Sequence, residues 1–584
     1  MHTKELVNIL HDEWEPFTVN KLKNTSVAWI SNKFLKNYSS QKEAGTVFLD
    51  MFSYAIKETE CLKDNGFNDE QSIELLAERY GGKGIGANGG GVRCGTINEY
   101  QLKGIGANCL VGNHSDVTHS YGGLDARSAI CEAVMTLVLN KVLPLSAADV
   151  IGIIYTGART AIDPITRQPC WGAILVREAC IRPAHFLPAP GFLPHPNYRK
   201  KLKPDNARTR NIHRKLARTF SGPNDYILWL GKFLSNSANQ LAFCKAARIM
   251  HSTLSPSNIA IDGRWLDVPL ASFIAGGENV ELSSNFYNEA SEPLNYCMEL
   301  LHTFGKANNK IFNPSPLVSY YNEQYDAYFS HHLAYMYGLP KVIGNSFPEP
   351  EWLEIKDYTT KILNSAREIS RAWPKPNEND HFIIVIQALF LSLVDEKLCL
   401  KLLSNHSRLA KIGPPPIRAF KHTLQHAAKQ REMDLISFSK IALMAALKRS
   451  ILCGIFYLSE VDREISALCN SSSPDDISIT VERYNQNIIW IFEDINSSCI
   501  TILKSNKFTF SFDKAESKFL VTGIDSVSLS FGSSFLLALE YINNNEDLQQ
   551  VKIHGFPIEN YISRLRDSFS VFDEGAKGIS DEQH

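Results

Sequence analysis

The sequence predicts an α+β protein of several domains, with a mixed strand and helix region, a long helical region and a smaller C-terminal region. Three observations predict it. The chain has 584 residues, more than one hydrophobic core organises, so about two to four domains are expected. Hydrophobic residues make up 44% and charged residues 21%, the balance of an ordinary globular protein. The periodicity of apolar residues also changes along the chain, from mixed to helical to β-rich.

Residues 1–75 read as a helical extension, with apolar and charged residues at helical spacing as in Ile73-Glu74-Leu75-Leu76-Ala77-Glu78. Glycine is dense from Gly81 to Gly95. An alternating strand follows over Glu99–Lys103, then a helix over 124–140 with Ile130, Val134 and Leu137 on its apolar stripe. Ile151–Tyr155 and Gly172–Val176 read as strands. Pro183–Pro196 reads as a linker or hinge. The basic run 198–218 reads as a solvated helix face, with docking of an acidic segment or phosphate as the alternative. Residues 225–455 are mainly helical, broken by a polar patch from His251 to Asp267. After residue 472, Ile477–Val481 and Ile488–Phe492 read as strands. The expected units are therefore 1–75, 76–190, 191–471 and a C-terminal α/β or β-rich accessory domain, 472–584.

Composition also excludes. A formal net charge of −2 gives no bulk attraction for nucleic acid. The apolar run Phe382–Val394 is too short to cross a bilayer and contains Gln387, so a buried helix is expected and no membrane span. No apolar signal core follows Met1. The twelve cysteines are scattered without a C-x-x-C pair, which fits cytoplasmic thiols better than disulfides or zinc.

Chemistry concentrates in three places. The first is Tyr80-Gly81-Gly82-Lys83-Gly84-Ile85-Gly86-Ala87-Asn88-Gly89, which contains G-x-G-x-x-G at Gly84, Gly86 and Gly89. Without side chains, such backbone approaches phosphate oxygens closely. A dinucleotide fold requires an apolar strand before the loop. Here the preceding segment reads as a charged helix and a strand delivering Lys103 follows, the order of a kinase-type site; a flexible glycine linker is the bland alternative. The second place is Glu132, on the next helix, where a kinase-like fold pairs a glutamate with the strand lysine. Arg127, five residues earlier, is within reach of the same region. The third is the segment from Asn258 to Asp267, which reads as strand, tight turn and strand. It would bring together an amide oxygen and a carboxylate, both hard ligands suited to Mg²⁺ between phosphates.

These segments resemble the SelO (YdiU) family of kinase-fold protein adenylyltransferases. Gln101-Leu102-Lys103-Gly104-Ile105-Gly106 is similar to the family's Q/H-L-K-G-A-G strand. Ala126-Arg127-Ser128-Ala129-Ile130-Cys131-Glu132 resembles L-R-S-x-I-R-E, and Trp171–Arg177 resembles the segment ending in a phosphate-contacting arginine. Arg182 is similar in place to a second such arginine. His251–Asn258 resembles H-G-x-x-N-T-D-N, with Asp267 at the family's spacing for the metal aspartate. The likeness covers roughly residues 76–270. It implies a bilobal protein-kinase-like fold using ATP and Mg²⁺ or Mn²⁺. The implied nucleotide contacts are Gly82, Gly84, Gly86, Lys103, Arg177 and Arg182, with Lys103, Glu132 and Arg177 catalytic and Asn258 and Asp267 on the metal.

One departure bears on mechanism. The family's aspartate before the metal asparagine, the candidate base, is Ser257 here. A serine does not take a proton at neutral pH as a carboxylate does. Either the site only binds nucleotide, as a pseudokinase scaffold, or its nucleophile is already ionised, as a carboxylate is. Attack of a carboxylate on the α-phosphate makes an acyl-adenylate. Microcin maturation proteins of the MchC/MceJ type show a weaker resemblance, which implies a peptide C-terminus as acceptor and an acyltransferase-like partner. AMP transfer to protein hydroxyls and phosphotransfer to a small molecule are the other expectations.

Overall fold

Eight strands form one antiparallel sheet in the N-terminal part of the chain. The computed structural model describes residues 3–57, 66–115, 120–159, 161–163, 167–274, 279–280, 286, 288–340, 349–365, 369–370, 380–471, 474–493, 496–546, 548 and 550–581. The strands are β1 (Glu15–Leu22), β2 (Ser26–Ile30), β3 (Tyr54–Ala55), β4 (Phe67–Ala77), β5 (Cys94–Ile97), β6 (Tyr100–Lys103), β7 (Val150–Tyr155) and β8 (Ala173–Glu178). Their order is β2-β7-β8-β6-β5-β4-β1-β3.

Side chains alternate across a strand, and here the two faces enter different cores. Leu102, Ile151, Ile154, Ile174 and Val176 meet Phe48 and Phe52 on one face. Those phenylalanines come from a helix, α2 (Gln41–Phe52), that follows α1 (Thr3–His11). Val150, Ile153, Ala173 and Leu175 face the opposite core with Ala129, Val134 and Val138 of α3 (Ala126–Val142). Asp125 caps α3 by accepting from the Ser128 N–H at 2.8 Å. Apart from the exposed Lys141 and a few half-exposed positions, α3 is buried between the sheet and later helices.

The helical region contains α4 (Asp205–Thr219), α5 (Pro223–Ala247), α6 (Glu292–Ala307), α7 (Ser315–Met336), α8 (His381–Leu391) and α9 (Leu435–Leu452). The last part of the chain begins with α10 (Pro474–Ile491). A four-stranded antiparallel sheet follows, β9 (Cys499–Lys504), β10 (Phe508–Asp513), β11 (Lys518–Gly523) and β12 (Ser528–Ser530). Then come α11 (Phe535–Asn545), a small hairpin of β13 (Lys552–Ile553) and β14 (Phe556–Pro557), and α12 (Glu559–Asp581). One buried cluster runs from Leu6 and Trp14, through α3 to α10, to Phe510, Phe569 and Phe572.

Three expectations need correction. Residues 1–75 are not a helical extension: β1, β2, β3 and most of β4 join the main sheet. The segment Ile73–Glu78 satisfies two periods at once, and pairing of Leu75 with Phe17 of β1 selects the strand. Ile477–Val481 and Ile488–Phe492 are not strands. Ile477, Val481, Tyr484, Ile488 and Ile491 are buried at alternating steps of four and three, one stripe of α10. Pro183–Pro196 does not begin as a linker, because Pro183–Phe186 is a fully buried 3₁₀ turn.

The run at Phe382 is a buried helix, as its length requires. Gln387 is its polar docking point, donating to Ser568 Oγ at 3.1 Å and accepting from Arg564 at 2.6 Å. Among the described residues no single helix is long and apolar enough to cross a membrane.

Candidate functional site

In β6 the period-two alternation sends Leu102 into the core beside Phe48, and turns Gln101 and Lys103 to the face covered by α3. The register pairs Lys103 with Leu175 and Gln101 with Arg177, so Arg177 shares that face. Charges on a buried face are costly unless paired. Glu132 on α3 supplies the pairing: Lys103 Nζ donates to Glu132 Oε2 at 2.8 Å, and the Arg177 guanidinium to Glu132 Oε1 at 2.7 Å. Asp267 closes the cluster, its Oδ1 accepting from Lys103 and, at 2.9 Å, from Arg177. Lys103, Glu132 and Arg177 are almost fully buried, whereas the Asp267 side chain keeps 26% of its exposure. Burial pushes the Asp267 carboxyl up, but the charges of Arg177 and Lys103 outweigh it and hold the group well below the usual carboxylate range.

A second buried layer supports the first. Gln101 Oε1 accepts from Arg177 at 2.7 and 2.9 Å and from Arg182 at 3.0 Å. Its amide donates to Glu78 Oε1 at 2.6 Å. Glu78 also accepts from Thr96 and meets His185 Nε2 at 3.1 Å. Burial raises the Glu78 carboxyl, yet the His185 hydrogen bond and the Arg182 charge bring it down to about 2.

The glycine loop joins β4 to β5, its base clamped by the bridge between Arg79 and Gly90. Gly81 N–H donates to Ala184 O at 2.9 Å and Gly82 N–H to Pro188 O at 3.0 Å, so the 3₁₀ turn anchors the loop. Gly82, Gly84 and Gly86 have φ of 85°, 99° and 58°. A Cβ on Gly82 would meet Pro256 at 2.8 Å, and one on Gly84 would meet Ser255 at 3.3 Å. The loop therefore lies on the segment that carries Asn258. Backbone N–H groups of residues 83–87 have no partner among the described residues. Lys83 ties the loop tip to Glu292 of α6 at 3.0 Å.

The expected turn from Asn258 to Asp267 is present. Ile259 bridges Trp265, Leu266 N–H donates to Asn258 O at 2.9 Å, and Gly263 turns the chain at φ 93°. His251 Nε2 donates to Leu266 O at 2.9 Å, and burial holds this imidazole neutral, down to about 4. Asp267 itself has φ 52°, a left-handed conformation rare outside glycine. Asp267 Oδ2 has no hydrogen-bond partner among the described residues. Among the described residues Asn258 Oδ1 accepts only from Ser257 Oγ, at 3.3 Å, while its amide donates to Thr253 O at 2.8 Å. Asn258 and Asp267 flank this turn, and each carries a hard oxygen of the kind a divalent ion takes together with phosphate oxygens and water. No group of three or more His, Cys, Asp or Glu side chains that could hold a metal occurs among the described residues.

The structure brings Lys103, Glu132, Arg177, Arg182 and Asp267 together; Asn258 follows Ser257, whose carbonyl Arg182 holds, and Gly82 and Gly84 lie against Pro256 and Ser255. Arg177 and Arg182 were expected to face phosphate. Their hydrogen bonds instead run to Gln101, Glu132, Asp267 and the Ser257 carbonyl. Arg127 does not turn to this cluster; it pairs with Asp462 at 3.5 Å. Arg208, read as part of a solvated basic face, is fully buried and donates to His185 O, Leu187 O and Asp205. The sequence reading gave no role to Gln101, Glu78 or His185. Gln101 was findable, because a residue two before Lys103 on a strand shares its face. No family model matches the chain, and no curated protein matches it.

Proposed function

We propose that this chain is an ATP- and divalent-metal-dependent transferase with a kinase-like, SelO-like bilobal arrangement, and that it adenylylates a carboxylate of a peptide. The observation that carries the reading is the buried 2.8 Å pair of Lys103 and Glu132 against Asp267, with a glycine loop packed on Pro256 and Ser255 of the segment that carries Asn258. A structural ion pair has no need of a nearby loop whose N–H groups lack partners among the described residues. It also has no need of an aspartate at positive φ with one oxygen unused.

In this reading Glu132 holds the Lys103 ammonium in place for the α- and β-phosphates, and the free N–H groups of residues 83–87 receive the phosphate tail. Asn258 Oδ1 and Asp267 would hold the divalent ion, which when bound offsets charge on the phosphate oxygens. Lys103 and Arg177 both donate to Asp267 Oδ1 in this structure, so the carboxylate is held ionised with Oδ2 available.

The acceptor follows from Ser257. Its hydroxyl bonds Ser255 Oγ at 2.9 Å and Asn258, and no carboxylate stands in its place. A hydroxyl acceptor would need a base; an ionised carboxylate does not. Its oxygen bonds the α-phosphorus as the α–β anhydride bond breaks and pyrophosphate leaves. A second reading, a nucleotide-binding scaffold without chemistry, is favoured by Arg177, which spends four hydrogen bonds on protein partners.

The test uses ATP labelled separately at the α- and γ-phosphates, incubated with the protein, Mg²⁺ and candidate peptides. Peptide-dependent pyrophosphate release with α-label on the peptide is expected. Transfer of γ-label would make the chain a kinase, and release of neither label would leave the scaffold.

A further inference from the structure

The C-terminal part of the chain contains a cleft that the nucleotide site does not use. It has a volume of about 1260 Å³ and lies between α10, the turn joining β9 to β10, the end of α11 and the hairpin of β13 and β14. A smaller cavity of about 240 Å³ adjoins it, with Phe508, Val521, Val527, Leu529 and Ile542 on its apolar side and Asp525 on its rim. The two share Lys507, Asn545 and Glu546, and the Lys507–Glu546 ion pair at 2.8 Å sits on their common rim.

Charge in the larger cleft is biased. Arg483, Lys504, Lys507 and Lys552 line it against Glu482 and Glu546, in a chain whose net charge is −2. Arg483 is paired with Glu464 and Lys507 with Glu546. Lys504 and Lys552 are exposed, and their amines have no partner among the described residues. One wall is rigidly held. His554 stacks on Tyr484 at 3.6 Å and 8°, receives the Asn487 amide at 2.9 Å and donates to Glu464 at 3.2 Å. These bonds fix a tight turn in which His554 and Gly555 have φ of 50° and 74°, and Lys552 stands at its foot.

We propose that this composite cleft binds an extended acidic peptide segment carrying a bulky apolar side chain. The two free lysines receive its carboxylates, and the amides of Gln486, Asn506 and Gln550 offer donors and acceptors to its backbone. The apolar side chain enters the cavity beside Leu529 and Val527, which are 41% and 58% exposed. Nucleic acid fits less well. Two unpaired cations are few for a phosphate chain, and the larger cleft has no Phe, Tyr or Trp on which a base stacks. The inference stands apart from the nucleotide site, although a peptide acceptor would give it a use.

The test is fluorescence anisotropy without nucleotide. The probes are a fluorescein-labelled peptide of repeating Gly-Glu-Ser with one Leu, its lysine-for-glutamate counterpart and a labelled single-stranded DNA of similar length. The acidic peptide is expected to bind saturably, at least about tenfold tighter than either alternative. Lys504→Glu with Lys552→Glu should weaken it by about tenfold or more through charge reversal, and Leu529→Asp likewise. Raised salt should weaken wild-type binding as well, which requires no variant to fold. Lys103→Ala should bind the peptide as wild type does, separating this result from the fate of the nucleotide reading. Absence of saturable binding, tighter binding of DNA, or unchanged affinity in both folded variants would overturn the proposal.

Discussion

Glu132→Gln tests whether the central cluster is held by charge or only by shape. Two cations, Lys103 and Arg177, face two carboxylates, Glu132 and Asp267, and all but Asp267 are almost fully buried. The substitution keeps the side-chain volume and leaves one buried positive charge uncompensated. Breaking a buried pair in this way costs about 3–5 kcal/mol. Lys103→Met in the same chain removes the excess charge. The double variant should therefore be more stable than the sum of the two single effects allows, by about 1–3 kcal/mol. Urea unfolding followed by far-UV circular dichroism and tryptophan fluorescence measures each corner of the cycle. If the two substitutions add to within about 0.5 kcal/mol, Lys103 and Glu132 do not interact, and the reasoning that places them as a functional pair fails.

Other predictions follow from single sites. Gly82→Ala should destabilise more than Gly86→Ala in thermal melting. Both positions have positive φ, a cost of about 1–2 kcal/mol for a residue with a Cβ, but only at Gly82 does the new carbon meet Pro256, at 2.8 Å, whereas Gly86 opens on space. Glu78 moves from 4.5 unfolded to about 2 folded. Its contribution is therefore complete above about pH 4.5 and lost as pH falls toward 2, roughly 3 kcal/mol in all; Glu78→Gln should flatten that acid limb of the stability profile. Lys448 shows the opposite case, since burial lowers its amine from 10.5 to about 7. The unfolded chain holds this proton across that window, so stability should rise with pH from about 7 to 10.5, and Lys448→Met should remove the slope.

The site was more legible in the sequence than the architecture around it. Gln101-Leu102-Lys103, Glu132 and the segment 258–267 lie on a strand, a helix and a tight turn, and what grouped them was their kinase-type order together with the likeness to a known family. The N-terminal strands were hidden because β4 offers Ile73, Leu75 and Leu76, which satisfy helix and strand periods together; only pairing with β1 decides. α10 was misread because β-branched residues dominate Ile477–Val481, although the buried positions follow a helical stripe across the longer segment. Pairings distant in sequence were not legible at all. Glu78 meets His185 across 107 positions, and Arg182 reaches the Ser257 carbonyl across 75. The fate of Arg208 was equally hidden, since a basic run looks the same whether its arginines face water or cap buried carbonyls.

The central claim is that Lys103, held by Glu132, belongs to a site for ATP with a divalent ion. Isothermal titration of the folded protein with ATP in the presence of Mg²⁺ tests it most directly. The account predicts one saturable site per chain, lost in Lys103→Ala and weakened in Asp267→Asn. Binding that is absent in the wild type, or unchanged by Lys103→Ala, would contradict it.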